Sequence, residues 1–136
     1  RLIEENYPKI VEAVKKSGVG RLLIVGGAGT LFVKPGLRVV DSGAIPAEII
    51  DGVRPLGDFY LNYLTKEHDL DWVFFSPAGE FDADGLRTGK FRLGKDDLVV
   101  DPATGTSHIS VKDYAVAMVD ELEKPAHHKE RFTIGY

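Results

Sequence analysis

The chain has 136 residues, 43% hydrophobic and 28% charged, with no cysteine and a formal net charge of −4. Its length carries one domain with a real core, and the acidic balance argues against nucleic acid or an anionic membrane as partner. A cysteine-free chain with no signal peptide, and no apolar run near the roughly 18 residues that span a bilayer, has no disulfide or thiol chemistry and reads as cytoplasmic.

Ile3, Tyr7, Ile10, Val11 and Val14 recur at helical spacing, with Glu4, Lys9, Glu12 and Lys15 elsewhere on the wheel. The pattern predicts an amphipathic helix capped by Asn6, with Pro8 in its first turn and Lys16 near its end. Glu12 and Lys16 are spaced as a favourable i,i+4 pair.

Through Gly18 and Gly20 the helix feeds Arg21–Thr30, RLLIVGGAGT. Leu22 to Val25 is an unbroken apolar run, which suits a strand buried on both faces at the centre of a parallel sheet. It opens into Gly26, Gly27, Ala28 and Gly29, at the carboxyl edge where open α/β sheets bind their ligands. The cluster serves either as a tight turn or as a place where backbone approaches a ligand closely. It is no pyrophosphate loop, because Pro35 and Gly36 follow too soon for a helix to start at Thr30. Gly18 and Gly20 precede a strand, so they fail the dinucleotide fingerprint as well.

From Thr30 to about Arg54 the chain is mixed in character, with a short strand or turn at Leu37–Val40 and one helical turn at Ala47–Ile50. An excursion leaving the carboxyl edge of a strand is expected to form a wall or lid of the site. Leu56, Phe59, Tyr60, Tyr63 and Leu64 return to helical spacing, Pro55 suiting the first turn and His68 falling near the helix end. Asp71–Pro77 is a second continuous apolar strand, running into Ser76, Pro77, Ala78 and Gly79. Two such strands joined by a helix read as a βαβ unit, with both small-residue loops on one rim.

Thr88–Leu93 and Leu98–Val100 are expected to pair as a hairpin, and Asp101–Gly105 to turn. Arg87, Lys90 and Arg92 fit a solvated hairpin face better than a phosphate site. Ser110 and Asp113 match a capping box. Ala115, Met118, Val119 and Leu122 mark the buried stripe of the following helix, which stops at Pro125. Adjacent His127 and His128 point apart in extended chain, so no metal site is expected. Arg131–Gly135 closes the chain as a short strand with Phe132 and Ile134 on one face.

The succession GVGRLLIVGGAGT, LDWVFFSPAGEF, RTGKFRLG, SHISVKDYAVAMVDELE and RFTIGY resembles the carboxyl part of the NADH-flavin reductases. These are NAD(P)-binding proteins of the atypical short-chain dehydrogenases, near the NmrA-like and biliverdin reductase B groups. The resemblance implies a doubly wound α/β Rossmann fold. Residues 1–136 would be the carboxyl-terminal part of a single NAD(P)-binding domain, without the amino-terminal half that carries the glycine-rich pyrophosphate motif. It implies NADP or NAD as cofactor, with FMN, FAD or a quinone as the small-molecule acceptor, and leaves homo-oligomerisation open.

Position by position, the resemblance assigns the nicotinamide wall to Gly26, Gly27, Ala28 and Gly29 together with Ser76, Pro77, Ala78 and Gly79. Thr30 becomes the candidate catalytic hydroxyl, and Thr88 and Gly89 border the substrate cleft. The Tyr-x-x-x-Lys pair of the classical members is absent: Leu64 follows Tyr60 by four residues and Glu67 follows Tyr63. Alcohol or sugar chemistry needs a positioned proton donor, whereas hydride transfer to a flavin or quinone needs mainly alignment. An NAD(P)-sensing regulator is the rival reading, and a nucleotide-sugar epimerase or dehydratase the weaker one.

Overall fold

The computed structural model describes residues 2–136. Helix α1 (Leu2–Ser17) leads into β1 (Arg21–Val25), and a small hairpin follows, β2 (Phe32–Lys34) with β3 (Leu37–Arg38). A helical turn at Val39–Asp41 precedes the long helix α2 (Ala47–Asn62), which hands over to β4 (Asp71–Ser76). The remainder is β5 (Glu80–Asp82), β6 (Arg92–Gly94), β7 (His108–Ser110), α3 (Val111–Glu123) and β8 (Glu130–Gly135).

The main sheet has the order β1-β4-β8-β6, with the first three strands parallel and β6 antiparallel to β8. Side chains alternate across it, as strand geometry requires. Leu22, Ile24, Trp72 and Phe74 pack with Val11 of α1 and Phe59 and Tyr60 of α2 on one face. Val73, Phe75, Phe132 and Ile134 pack with Tyr114 and Ala117 of α3 on the other. This is an α/β layer structure with helices on both faces.

Several expectations need correction. Helix α1 already includes Leu2, so Asn6 is not its cap and Pro8 lies inside it. A proline there removes a ladder donor, but Ile3, Tyr7, Val11 and Val14 pack on the sheet from both sides of it and hold the helix continuous. Glu12 meets Lys15 and the Tyr63 hydroxyl in place of Lys16. The turn at Ala47 and the helix beyond Pro55 are one element, because a single apolar face runs through Gly52 and Pro55. His68 lies beyond that helix, in the approach to β4.

Strand β1 is an outer strand among the described residues, with Val25 56% exposed; β4 and β8 are the buried interior strands. Residues 88–100 form no hairpin. Only Arg92–Gly94 is strand, and it pairs with β8, while residues 96–98 bond to Phe32. The Asp101–Gly105 turn forms.

Helix α3 buries Asp113, Tyr114, Ala117 and Glu121, and leaves Val119 and Leu122 more than half exposed or nearly so. Its inner face is polar because Glu121 gathers the Arg21 guanidinium (2.7 Å), the His127 ring (2.7 Å) and the Ala126 and His127 amides. His127 stacks on Phe132, whereas His128 turns to Asp71. Among the described residues no cluster of three metal-ligating side chains occurs, and no helix is long and apolar enough to cross a membrane.

Candidate functional site

Strands β1 and β4 end side by side, Val25 against Phe75, and the Gly26 amide donates to the Phe75 carbonyl at 2.9 Å. The loops that leave them therefore share one rim. Gly27, Ala28 and Gly29 from the first loop face Pro77, Ala78 and Gly79 from the second across a cavity of about 450 Å³. The opposite wall is Val39, Ala44, Ile45 and Pro46, then one face of α2: Ile49, Gly52, Val53 and Leu56. These four recur at i, i+3, i+4 and i+7, the spacing that puts side chains on one helix face. The 30–54 excursion is thus a wall of the cavity. Its helical periodicity escaped a sequence reading because Gly52 and Pro55 interrupt it.

The structure brings together six of the eight residues assigned to the nicotinamide wall. Gly26 and Ser76 sit just behind it. A Cβ on Gly26 would lie 2.6 Å from the Phe74 ring, so glycine is needed there for packing. Gly26→Ala is expected to cost 1–3 kcal/mol, a range typical of overpacking, read as a fall in the denaturation midpoint. Ser76 is fully buried; its carbonyl accepts from Thr133 Oγ1 at 2.8 Å and its hydroxyl has no partner among the described residues.

Thr30 is buried and does not line the cavity. Its Oγ1 accepts from Arg131 Nη1 at 2.8 Å, and Arg131 also reaches the Thr30 carbonyl and Asp96. The side chain of Arg131 is 1% exposed and lies over the Tyr60 ring. This buried guanidinium ties the end of the glycine loop to β8, a contact across 101 residues that no local sequence signal marks. Thr88 and Gly89 also lie off the cavity. Both donate to the Asp113 carboxylate, on the loop covering the start of α3.

No side chain among the sixteen that line the cavity is ionisable or carries a hydroxyl. The five tyrosines are committed elsewhere. Tyr60 is stacked on Phe74, and burial raises its pKa. Tyr63 donates to Glu12, and burial together with that bond pushes it up to about 12. Tyr114 donates to the Phe75 carbonyl, Tyr136 to Asp113, and Tyr7 packs edge-on against Phe59. The site therefore offers shape and backbone dipoles. The amides of Gly27, Ala28 and Ala78 hydrogen-bond to no other group among the described residues.

A larger cleft, about 750 Å³, lies between Phe91, Asp120, Glu123 and His127. It opens where α3 returns toward the amino ends of the strands, the edge opposite the one at which open parallel sheets bind ligands.

No protein-family model matches the chain. It is 42% identical over 127 residues to the uncharacterised protein YwnB of Bacillus subtilis, covering 92% of this chain and 59% of that one. Among solved structures it is similar to a "putative epimerase" from Bacteroides thetaiotaomicron, with a TM-score of 0.92 and 62% identity over 96% of this chain and 59% of the other. It is also similar to a "putative NADH-flavin reductase" from Streptococcus pneumoniae, with a TM-score of 0.84 and 34% identity over 98% and 65%. The chain thus has the Rossmann-like α/β fold of these neighbours and spans about three fifths of their length.

Proposed function

We propose that this chain forms the nicotinamide and acceptor side of an NAD(P)H-dependent oxidoreductase that reduces a small aromatic acceptor such as free flavin or quinone. The observation that carries the reading is the cavity at the shared carboxyl rim of β1 and β4, walled by two small-residue loops and free of any acid or base. Likeness to the streptococcal protein described as an NADH-flavin reductase supports it.

The residues present fit a nicotinamide. Gly27 keeps the wall thin, since a Cβ there would meet only Leu56 at 3.5 Å, and free amides on both loops can receive a carboxamide. A bound reduced nicotinamide supplies the hydride. Gly27, Ala28 and Gly29 together with Pro77, Ala78 and Gly79 would align the ring, which is most of what such a transfer asks of the protein. With no proton donor in the lining, the acceptor's proton comes from solvent.

The Bacteroides neighbour's description as an epimerase gives a second reading some weight. Epimerisation needs a positioned acid and base, and no tyrosine of this chain lies on the cavity. A regulator that senses NAD(P), akin to the NmrA-like proteins, would bind cofactor without turnover.

The test is saturable, enzyme-dependent loss of reduced-nicotinamide absorbance with a flavin or quinone in the intact protein. Gly27→Val, whose Cβ would make ordinary contact with Leu56 at 3.5 Å, is expected to weaken nicotinamide binding about tenfold, equivalent to ~1.4 kcal/mol. Unchanged affinity in that variant would remove the loop from the site. Binding without turnover on any acceptor would favour the sensor.

A further inference from the structure

We infer that the α2 side of this cavity is an acceptor subsite selective for uncharged planar rings over their anionic counterparts, and that Gly52 sets its depth. The inference rests on the oxidoreductase reading and names the class of acceptor.

Two observations carry it. The first is charge. Among the described residues the lining holds no cation, and the positions next to it in the chain are acidic: Glu48 and Asp51 beside Ile49 and Gly52, Glu80 and Asp82 on either side of Phe81. Of the cations of the 30–54 wall, Arg54 pairs with Asp41 at 3.5 Å, and Arg38 lies over the Phe32 ring at 4.3 Å with its Nε unpartnered among the described residues; neither lines the cavity. Lys34 is the remaining one, and it lies on the exposed hairpin strand, off the cavity. A phosphate or sulfonate entering here would find no ion-pair partner among the described lining residues. An uncharged ring gains apolar burial against Ile49, Val53 and Leu56 on the α2 wall.

The second observation is Gly52. It stands inside a 16-residue helix, where glycine costs up to about 1 kcal/mol relative to alanine. Neither usual reason for glycine applies. Its φ is not positive, and a Cβ would meet nothing within 4 Å. What the missing side chain leaves is open space on the cavity wall. Any longer residue would project there.

Turnover in this subsite is a two-electron reduction: the acceptor takes a hydride from the reduced nicotinamide and one proton from water, leaving oxidised nicotinamide and reduced acceptor. The experiment uses the intact protein with saturating oxidised nicotinamide, titrating riboflavin and FMN by flavin fluorescence. Steady-state rates follow, on riboflavin against FMN and on menadione against a naphthoquinone sulfonate. Riboflavin is expected to bind at least tenfold more tightly than FMN, with the same order in kcat/KM for both acceptor pairs. Gly52→Phe should lower riboflavin affinity at least tenfold with the KM for reduced nicotinamide within twofold, while Gly52→Ala keeps binding and raises the thermal midpoint. Ile49→Lys should narrow or invert the preference. Equal or tighter FMN binding, or indifference to Gly52→Phe in a folded variant, overturns the inference. Selective binding without turnover upholds the subsite and removes the reductase reading alone.

Discussion

Phe75→Ala should lower folding stability by about 4 kcal/mol, within the range for truncating a buried aromatic. Phe75 is fully buried at the middle of the α3 face. Its ring lies parallel to Phe132, 4.0 Å between centroids, and to Tyr114, 4.2 Å away. The two partners stand on β8 and α3, and closing the gap would mean moving a central strand or a helix. The cavity therefore stays largely open, which puts the cost high in the range.

The backbone of Phe75 resists collapse too. Its carbonyl accepts from Tyr114 Oη at 2.6 Å and from the Gly26 amide at 2.9 Å, so the same residue anchors α3 and the start of the glycine loop. Denaturant titration should give a lower midpoint with an unchanged slope, and Phe75→Leu should recover more than half of the loss. A loss under 1.5 kcal/mol in the alanine variant would mean that the stack closes over the gap after all.

How much of this was legible in the sequence depends on the range of the interaction. The runs Leu22–Val25 and Asp71–Pro77 announced parallel strands with small-residue loops on one rim, because continuous apolar strands and glycine-rich ends are local signals. Six of the eight residues that the resemblance assigned to the nicotinamide wall line the cavity at that rim. Among the described residues β1 is the outer strand, and an apolar run by itself reports burial and is silent on neighbours. Thr30 looked like a free hydroxyl because its partner, Arg131, is 101 positions away. The stripe of α3 was misplaced for a related reason: Asp113 and Glu121 are buried as hydrogen-bond hubs, whereas a hydrophobic periodicity assigns carboxylates to solvent. The capping box illustrates the same limit. Ser110 caps the helix, accepting from the Asp113 amide at 3.0 Å, but the Asp113 carboxylate is taken by groups far along the chain.

Those groups make Asp113 the second position of large effect. Its carboxylate is fully buried and accepts from the Thr88 amide (2.9 Å), the Thr88 hydroxyl (2.7 Å), the Gly89 amide (2.9 Å) and the Tyr136 hydroxyl. Burial on its own would raise the pKa; the bonds from Tyr136, Gly89 and Thr88 outweigh it and hold the group at about 2. The folded pKa is therefore below the ordinary aspartate value of about 3.9. The carboxylate's contribution is present in full above that value and is lost as pH falls through about 2, and its size is of order 2 kcal/mol.

Asp113→Ala should cost about 3 kcal/mol at neutral pH, because it also strands buried donors that the carboxylate had satisfied. Asp113→Asn keeps the shape and cannot accept from all four donors, so it should lose somewhat less. The diagnostic result is the pH dependence of the difference between wild type and Asp113→Asn. Comparing the two cancels the other carboxylates, which titrate alike in both. The gap should be constant from pH 7 to about 5 and shrink steadily between pH 4 and 2. A gap that stays flat to pH 2.5 would mean that the native carboxyl titrates as it does in the unfolded chain, and that the Thr88–Gly89 loop is held by packing alone.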